Sequence, residues 1–191
     1  MSTEQSKAQD VMTAASILRP TGADSARAGG VYSVECRDAA GNLKWADTFH
    51  NLVVNEGLQD MNSKYFAGSG YTAAWFLGLV TGPGSGTTFA AADTLASHAG
   101  WTENTNYTGN RKAVTFGTAT TADPSVITNS AAPSVFTMNA NAQTIAGAFL
   151  CSVNSGTSGI LFSAGDFTGG DKIVDSGDTL SVTYQFSLDA A

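Results

Sequence analysis

Ionisable side chains are scarce in this chain. Asp, Glu, Lys and Arg together make up 13% of its 191 residues, about half the usual quarter. Helical bundles need charged outer faces, so the scarcity argues for β structure with neutral Ser/Thr surfaces. Basic residues are fewest: nine Lys and Arg stand against 16 Asp and Glu, giving a formal net charge of −7 and a pI near 4.5. No phosphate-neutralising surface follows from that balance, and nucleic acid is not expected as a partner. Histidine occurs twice, at His50 and His98, which leaves few general bases for neutral pH. The two cysteines, Cys36 and Cys151, form no CxxC pair and are too few for a disulfide framework, so both are expected as buried free thiols. No apolar run approaches the roughly 20 residues of a membrane helix, and MSTEQSKAQD carries no apolar leader core. The expectation is a soluble protein made in a cytoplasm, with no membrane partner.

Catalytic motifs are missing as well. The GPGSG segment has Pro83 and Thr87 where a nucleophile elbow needs glycines. In GDFTGGD, Asp171 stands where a phosphate loop needs lysine. No enzymatic activity and no cofactor are expected.

What is present is alternation. Residues 1–29 hold one small apolar cluster, Val11, Met12, Ile17 and Leu18, among polar and small residues. It is too small for a core, so the segment reads as an N-terminal arm that orders on a neighbour. From Gly30 the pattern becomes that of one domain, residues 30–191. Tyr32, Val34 and Cys36 alternate with Ser33, Glu35 and Arg37; a turn follows at Asp38–Asn42, and LKWADTF returns as the second strand of a hairpin. Leu58, Met61, Tyr65 and Phe66 recur at helical spacing, with Asn55 as cap and Gly68 as stop. That predicts one short helix over about 55–66. TAAWFLGLV, apolar on both sides, predicts a strand covered on two faces, and Thr94 to His98 allows a single helical turn. From Arg111 onward, strand-like runs recur about every ten residues, ending in DTLSVTYQFSL, where Leu180 to Leu188 alternate without a break. Together these predict a mainly β fold, a sandwich or a barrel.

Between Lys112 and Asp166 the only charged side chain is Asp123. Two readings are open: part of this stretch faces other protein, or it forms a sheet coated with Ser, Thr and Asn. Asp166, Asp171, Asp175 and Asp178 crowd one segment; a hard cation is conceivable there, and so is turn capping without a metal. Glu56 lies in the first turn of the predicted helix, at the positive end of its dipole. Among the aromatics, Trp45 and Trp75 fall in apolar strands. Trp101, beside Tyr107 in a polar loop, is the one expected at the surface and the natural platform if the chain binds glycans.

The blocks GVYSVECRDAAGNLKWADTFHNLVVNEGLQDM, YTAAWFLGLVTG, ADTLASHAGWTE and SAGDFTGGDKIVDSGDTLSVTYQFSL resemble those of small virion structural proteins of tailed phages, the capsid decoration (cement) and head proteins. The resemblance covers roughly residues 30 to 188. It implies a jelly-roll-like β-sandwich on the outer surface of a phage head, dimeric or trimeric, partnered with the major capsid protein. The candidate partner contacts are Val11, Met12, Ile17 and Leu18 in the arm, with Trp101 and Tyr107 in the domain. Alternative roles are a head-fibre, tail-fibre or baseplate protein, or a glycan-binding adsorption module.

Overall fold

The computed structural model describes residues 26–71, 74–82 and 87–190. The arm as far as position 25, with Val11, Met12, Ile17 and Leu18, lies outside the described residues, as does the glycine-rich segment 83–86. The elements run β1 (Ala26–Arg37), β2 (Leu43–His50), β3 (Leu52–Val53), α1 (Asn55–Tyr65), β4 (Phe76–Thr81), β5 (Thr102–Asn104) and β6 (Lys112–Ala113). They continue with β7 (Ser125–Thr128), β8 (Ser134–Thr137), β9 (Gln143–Cys151), β10 (Leu161–Asp166), β11 (Lys172–Val174) and β12 (Thr179–Ala190).

These strands form two antiparallel sheets packed as a β-sandwich. The first has the order β2-β1-β12, with β7 and β8 both pairing on β12; the second has the order β3-β10-β9-β4-β5, with β11 on β9 and β6 on β4. The jelly-roll form of the sandwich rested on the resemblance alone. The first and last strands pair along their whole length, Ala26 opposite Ala190 through Arg37 opposite Thr179. Strand β1 thus begins four residues before Gly30, and the pairing draws Ala26 to Gly29 out of the expected arm. The β1–β2 hairpin is as the alternation predicts. Its turn is held by Asp38, whose Oδ1 accepts the backbone N–H groups of Ala40 at 2.9 Å and Asn42 at 2.8 Å.

Between the sheets, Tyr32, Val34 and Cys36 of β1 meet Leu180, Val182 and Tyr184 of β12 and, from the second sheet, Leu77, Leu79 and Ile145. A second cluster lies on the outer side of the second sheet, where Val80, Ala146, Phe149 and Leu161 pack under Leu95 and Trp101. This explains why β9 and β10 are apolar on both faces: Ile145 to Cys151 and Leu161 to Gly165 are all buried. It also divides the uncharged stretch, since its β9 and β10 portions are interior, whereas the parts around β7 and β8 and the loop 154–158 reach water.

Helix α1 departs from its expected face. Its N-cap is Val54, which makes no side-chain cap, and Asn55 is already helical, donating its N–H to Ala91 O at 2.8 Å. Glu56 ties the helix down, Oε2 accepting Leu161 N–H at 2.7 Å. The buried stripe is Gly57 with Met61, an i,i+4 pair, whereas Leu58, Tyr65 and Phe66 are exposed. Close approach decides this: a Cβ on Gly57 would stand 2.5 Å from Phe162 O, so only glycine lets the helix sit on β10. Thr94 to His98 is a turn bridged by Thr94 and Ser97, not a helix. Lys172–Val174, inside the segment read as turns, is a strand.

Burial sets an alkaline limit on stability. Burial first, and the charge of Asp178 second, push the Cys36 thiol up from 9.0 to about 11. Burial likewise raises Cys151, Tyr32, Tyr107 and Tyr184. Each raised group makes the folded state the better proton binder, so its contribution is complete below the unfolded pKa and fades as pH climbs through the folded one. The melting temperature is therefore expected to hold up to about pH 9 and to fall steadily towards pH 11. Calorimetry across that window checks it.

Candidate functional site

Where the two sheets part at one end of the sandwich, the core opens into an apolar groove of about 530 Å³. Leu150, Phe162 and Tyr184 form its floor, and Trp75, Phe116 and Phe186 its sides. The rings interlock: Trp75 meets Phe162 edge-on at 5.3 Å between centroids, and Phe162 meets Phe186 at 5.4 Å. Along the rim stand Tyr65, 83% exposed, and Phe66, 79% exposed, with Tyr71 and Leu188 also exposed. Among the described residues, Asp60 and Lys64 are the only charged side chains in the lining. A rim of this kind buries apolar surface only when something covers it.

A second feature is the outer face of the first sheet. Strand alternation and register place Val135 and Thr137 of β8 beside Ser181 and Thr179 of β12, and Thr183 beside Ser33 and Thr48. Ser33 and Thr48 share a hydroxyl hydrogen bond at 3.2 Å. The face is poor in charge: Glu35, beside Ser181, and Arg37, beside Thr179, share the rows of Val135 and Thr137 and pair with each other at 3.3 Å, and Arg27 stands opposite Asp189 at the far end. The neighbouring exposed loop, residues 117–124, adds only Asp123, whose carboxylate accepts Ala190 N–H at 3.1 Å.

The expected aromatic platform is not at the surface. Trp101 is 3% exposed: its indole N–H donates to Asp93 Oδ2 at 3.0 Å, His98 stacks on it at 3.8 Å, and its ring covers Phe149. Tyr107, also 3% exposed, packs edge-on against Phe136. Both contacts are corrected to core positions, and a glycan site has no platform there. For Trp101 the physical reason is the doubly buried second sheet, which needs a cover that the polar-looking loop 87–101 supplies; Tyr107 instead joins the core between the sheets through its bridge to Met138. The apolar run in β9 was the signal that such a cover had to exist.

The other singled-out residues have structural partners. His98 Nδ1 lies 3.0 Å from Trp101 O, whereas His50 sits exposed at the end of β2. Of the four aspartates, Asp178 is buried, taking Lys44 Nζ at 2.6 Å and Asp175 N–H at 2.9 Å. Asp175 accepts Ala142 N–H at 3.0 Å, which lowers its pKa, with Lys44 second. Burial and then the charge of Asp171 raise Asp166. Among the described residues no three His, Cys, Asp or Glu side chains converge as a metal site would require, and no helix is long and apolar enough to cross a membrane.

One charged pair escaped sequence reasoning. Arg111, nearly enclosed, donates Nε and Nη2 to the two oxygens of Glu103 at 2.8 and 2.7 Å, reaches Val153 O at 3.2 Å, and lies over the Phe149 ring. Burial works to lower the guanidinium pKa, and the hydrogen bonds to Glu103 together with the charge interactions with Cys151, Glu103 and Tyr107 outweigh it, leaving it raised. The pair staples the end of the 105–111 loop to β5 of the second sheet. No protein-family model, curated protein or solved structure matches this chain, so the arrangement is interpreted from its own geometry.

Proposed function

We propose that this protein is a capsid decoration (cement) protein of a tailed phage, docking on the outer surface of the head and bridging subunits of the major capsid protein. The observation that carries the reading is the charge-poor, hydroxyl-rich outer face of the first sheet, Val135, Thr137, Ser181, Thr183, Ser33 and Thr48, on which the charges stand as opposite-sign neighbours, Glu35 with Arg37 and Arg27 with Asp189. A protein that repeats over a shell gains from many modest contacts with little desolvation of charge. Ser and Thr hydroxyls supply hydrogen bonds there without burying an ion. The arm adds a second contact on a neighbouring subunit, and a dimer or trimer multiplies both. The role is structural, with no reaction and no cofactor, and the protein is made in the host cytoplasm before it joins the virion.

Because a ligand bound only to the assembled shell stabilises that shell, heads lacking the protein are expected to open at a lower temperature than complete ones. Light scattering with a DNA-binding dye during a heat ramp measures this. Equal opening temperatures would reject the role. A head-fibre, tail-fibre or baseplate position would use the same charge-poor face, and gold-labelled protein in negative-stain images separates these locations from the shell.

A further inference from the structure

We infer that the apolar groove is the seat of the chain's own N-terminal segment, with Val11, Met12, Ile17 and Leu18 supplying the side chains that fill it. The groove is built for aliphatic occupants: floor and sides are aromatic and aliphatic, and its volume of about 530 Å³ lies in the range that accepts several such groups. Its rim leaves Tyr65, Phe66 and Tyr71 in water, an arrangement that a lone soluble domain avoids.

The chain's path selects the occupant. Ala26, where β1 begins opposite Ala190, is itself part of the groove lining, so the preceding segment leaves from the groove's edge. Leu18 is eight positions from Ala26, and eight extended residues span roughly 26–29 Å. The tether therefore lets the whole cluster return to the groove. A segment tethered this closely has an effective concentration in the millimolar range, far above any second copy at micromolar concentration. The sequence before Ala26 offers this one apolar cluster, and the groove is the apolar opening beside its exit. The inference concerns the free protein and holds whatever shell or fibre the chain joins; on a particle the same segment would leave the groove to reach a neighbour.

The test uses the full chain with Phe66→p-benzoylphenylalanine, a photo-crosslinker on an exposed rim position. Isotopically labelled and unlabelled protein are mixed at equal amounts, irradiated, digested and mapped by mass spectrometry. The expected product joins position 66 to a peptide spanning residues 11–18 of the same isotopic label, in a yield independent of protein concentration. Mixed-label products would assign the groove to a second copy, and crosslinks confined to other segments would leave it to a different partner; either overturns the inference. A second full-chain variant, Ile17→Asp with Leu18→Asp, is expected to raise binding of a hydrophobic dye roughly threefold or more while the domain still unfolds in one cooperative transition at a slightly lower melting temperature. Unchanged dye binding would contradict a seated segment. Neither readout depends on a capsid, so failure here and failure of the decoration role are separately visible.

Discussion

Glu103→Ala is expected to destabilise the fold by about 3–5 kcal/mol, among the largest effects of any single side-chain truncation in the molecule. The guanidinium of Arg111 would stay enclosed beside Phe149 and Cys151 with its two charge-assisted bonds to Glu103 gone. The Val153 carbonyl would remain as acceptor, but a neutral oxygen does not balance a buried cation. Removing both partners together, as Arg111→Met with Glu103→Leu, is expected to cost much less than the two single losses combined, because no uncompensated charge is left behind. Urea unfolding of the four proteins gives the coupling. A double variant as unstable as the sum of its singles would mean that the pair is not coupled.

Gly147→Ala is expected to be comparably damaging, about 3 kcal/mol or more. A Cβ at this position would land on the carbonyl oxygen of Gly165 and within 3.0 Å of Asp166 Cα, both of them backbone atoms of the adjacent strand. Side chains can rotate away from an added methyl, whereas two paired strands in the middle of a sheet cannot. The site also sits where β9 changes register against β4, so there is no slack in the ladder. Gly70, with nothing within 4 Å of its built Cβ, is the control, and Gly70→Ala should stay within about 0.5 kcal/mol of the parent. Thermal melts of the two variants decide it.

Much of the fold is legible in the sequence where one physical cause dominates. Alternation in β1, β2 and β12 is enforced by a buried face and an exposed one, and those strands lie as the pattern predicts. The same holds for the Phe76–Val80 part of TAAWFLGLV, whose two apolar faces match the two clusters on either side of β4, although the strand begins only at Phe76 and residues 72–73 lie outside the described residues. Legibility fails where a contact distant in sequence decides. Leu58, Tyr65 and Phe66 have helical spacing, yet the helix buries Gly57, because only a residue without a side chain fits under Phe162. Trp101 and Tyr107 stand among polar residues, yet both are core, because the loops that carry them fold over the sandwich. The Arg111–Glu103 pair spans eight positions of irregular chain, a separation that no periodic pattern marks.

The candidate site divides in the same way. The low charge that draws attention to residues 113–165 has two origins: β9 is uncharged because it is interior, and β8 is uncharged while exposed. Only the second bears on docking. The groove could not be read from the sequence, because its floor and sides gather Trp75, Phe116, Leu150, Phe162, Tyr184 and Phe186 from five places along the chain.

The central claim is that the charge-poor outer face of the first sheet meets a repeating shell. The most direct measurement is the number of copies retained on purified heads by a Val135→Asp, Thr137→Asp protein compared with the parent. Both positions point outward from β8, so the sandwich should melt at its usual temperature, while two carboxylates in the contact are expected to lower occupancy roughly tenfold or more. Heads carrying the doubly charged protein at full occupancy would contradict the account.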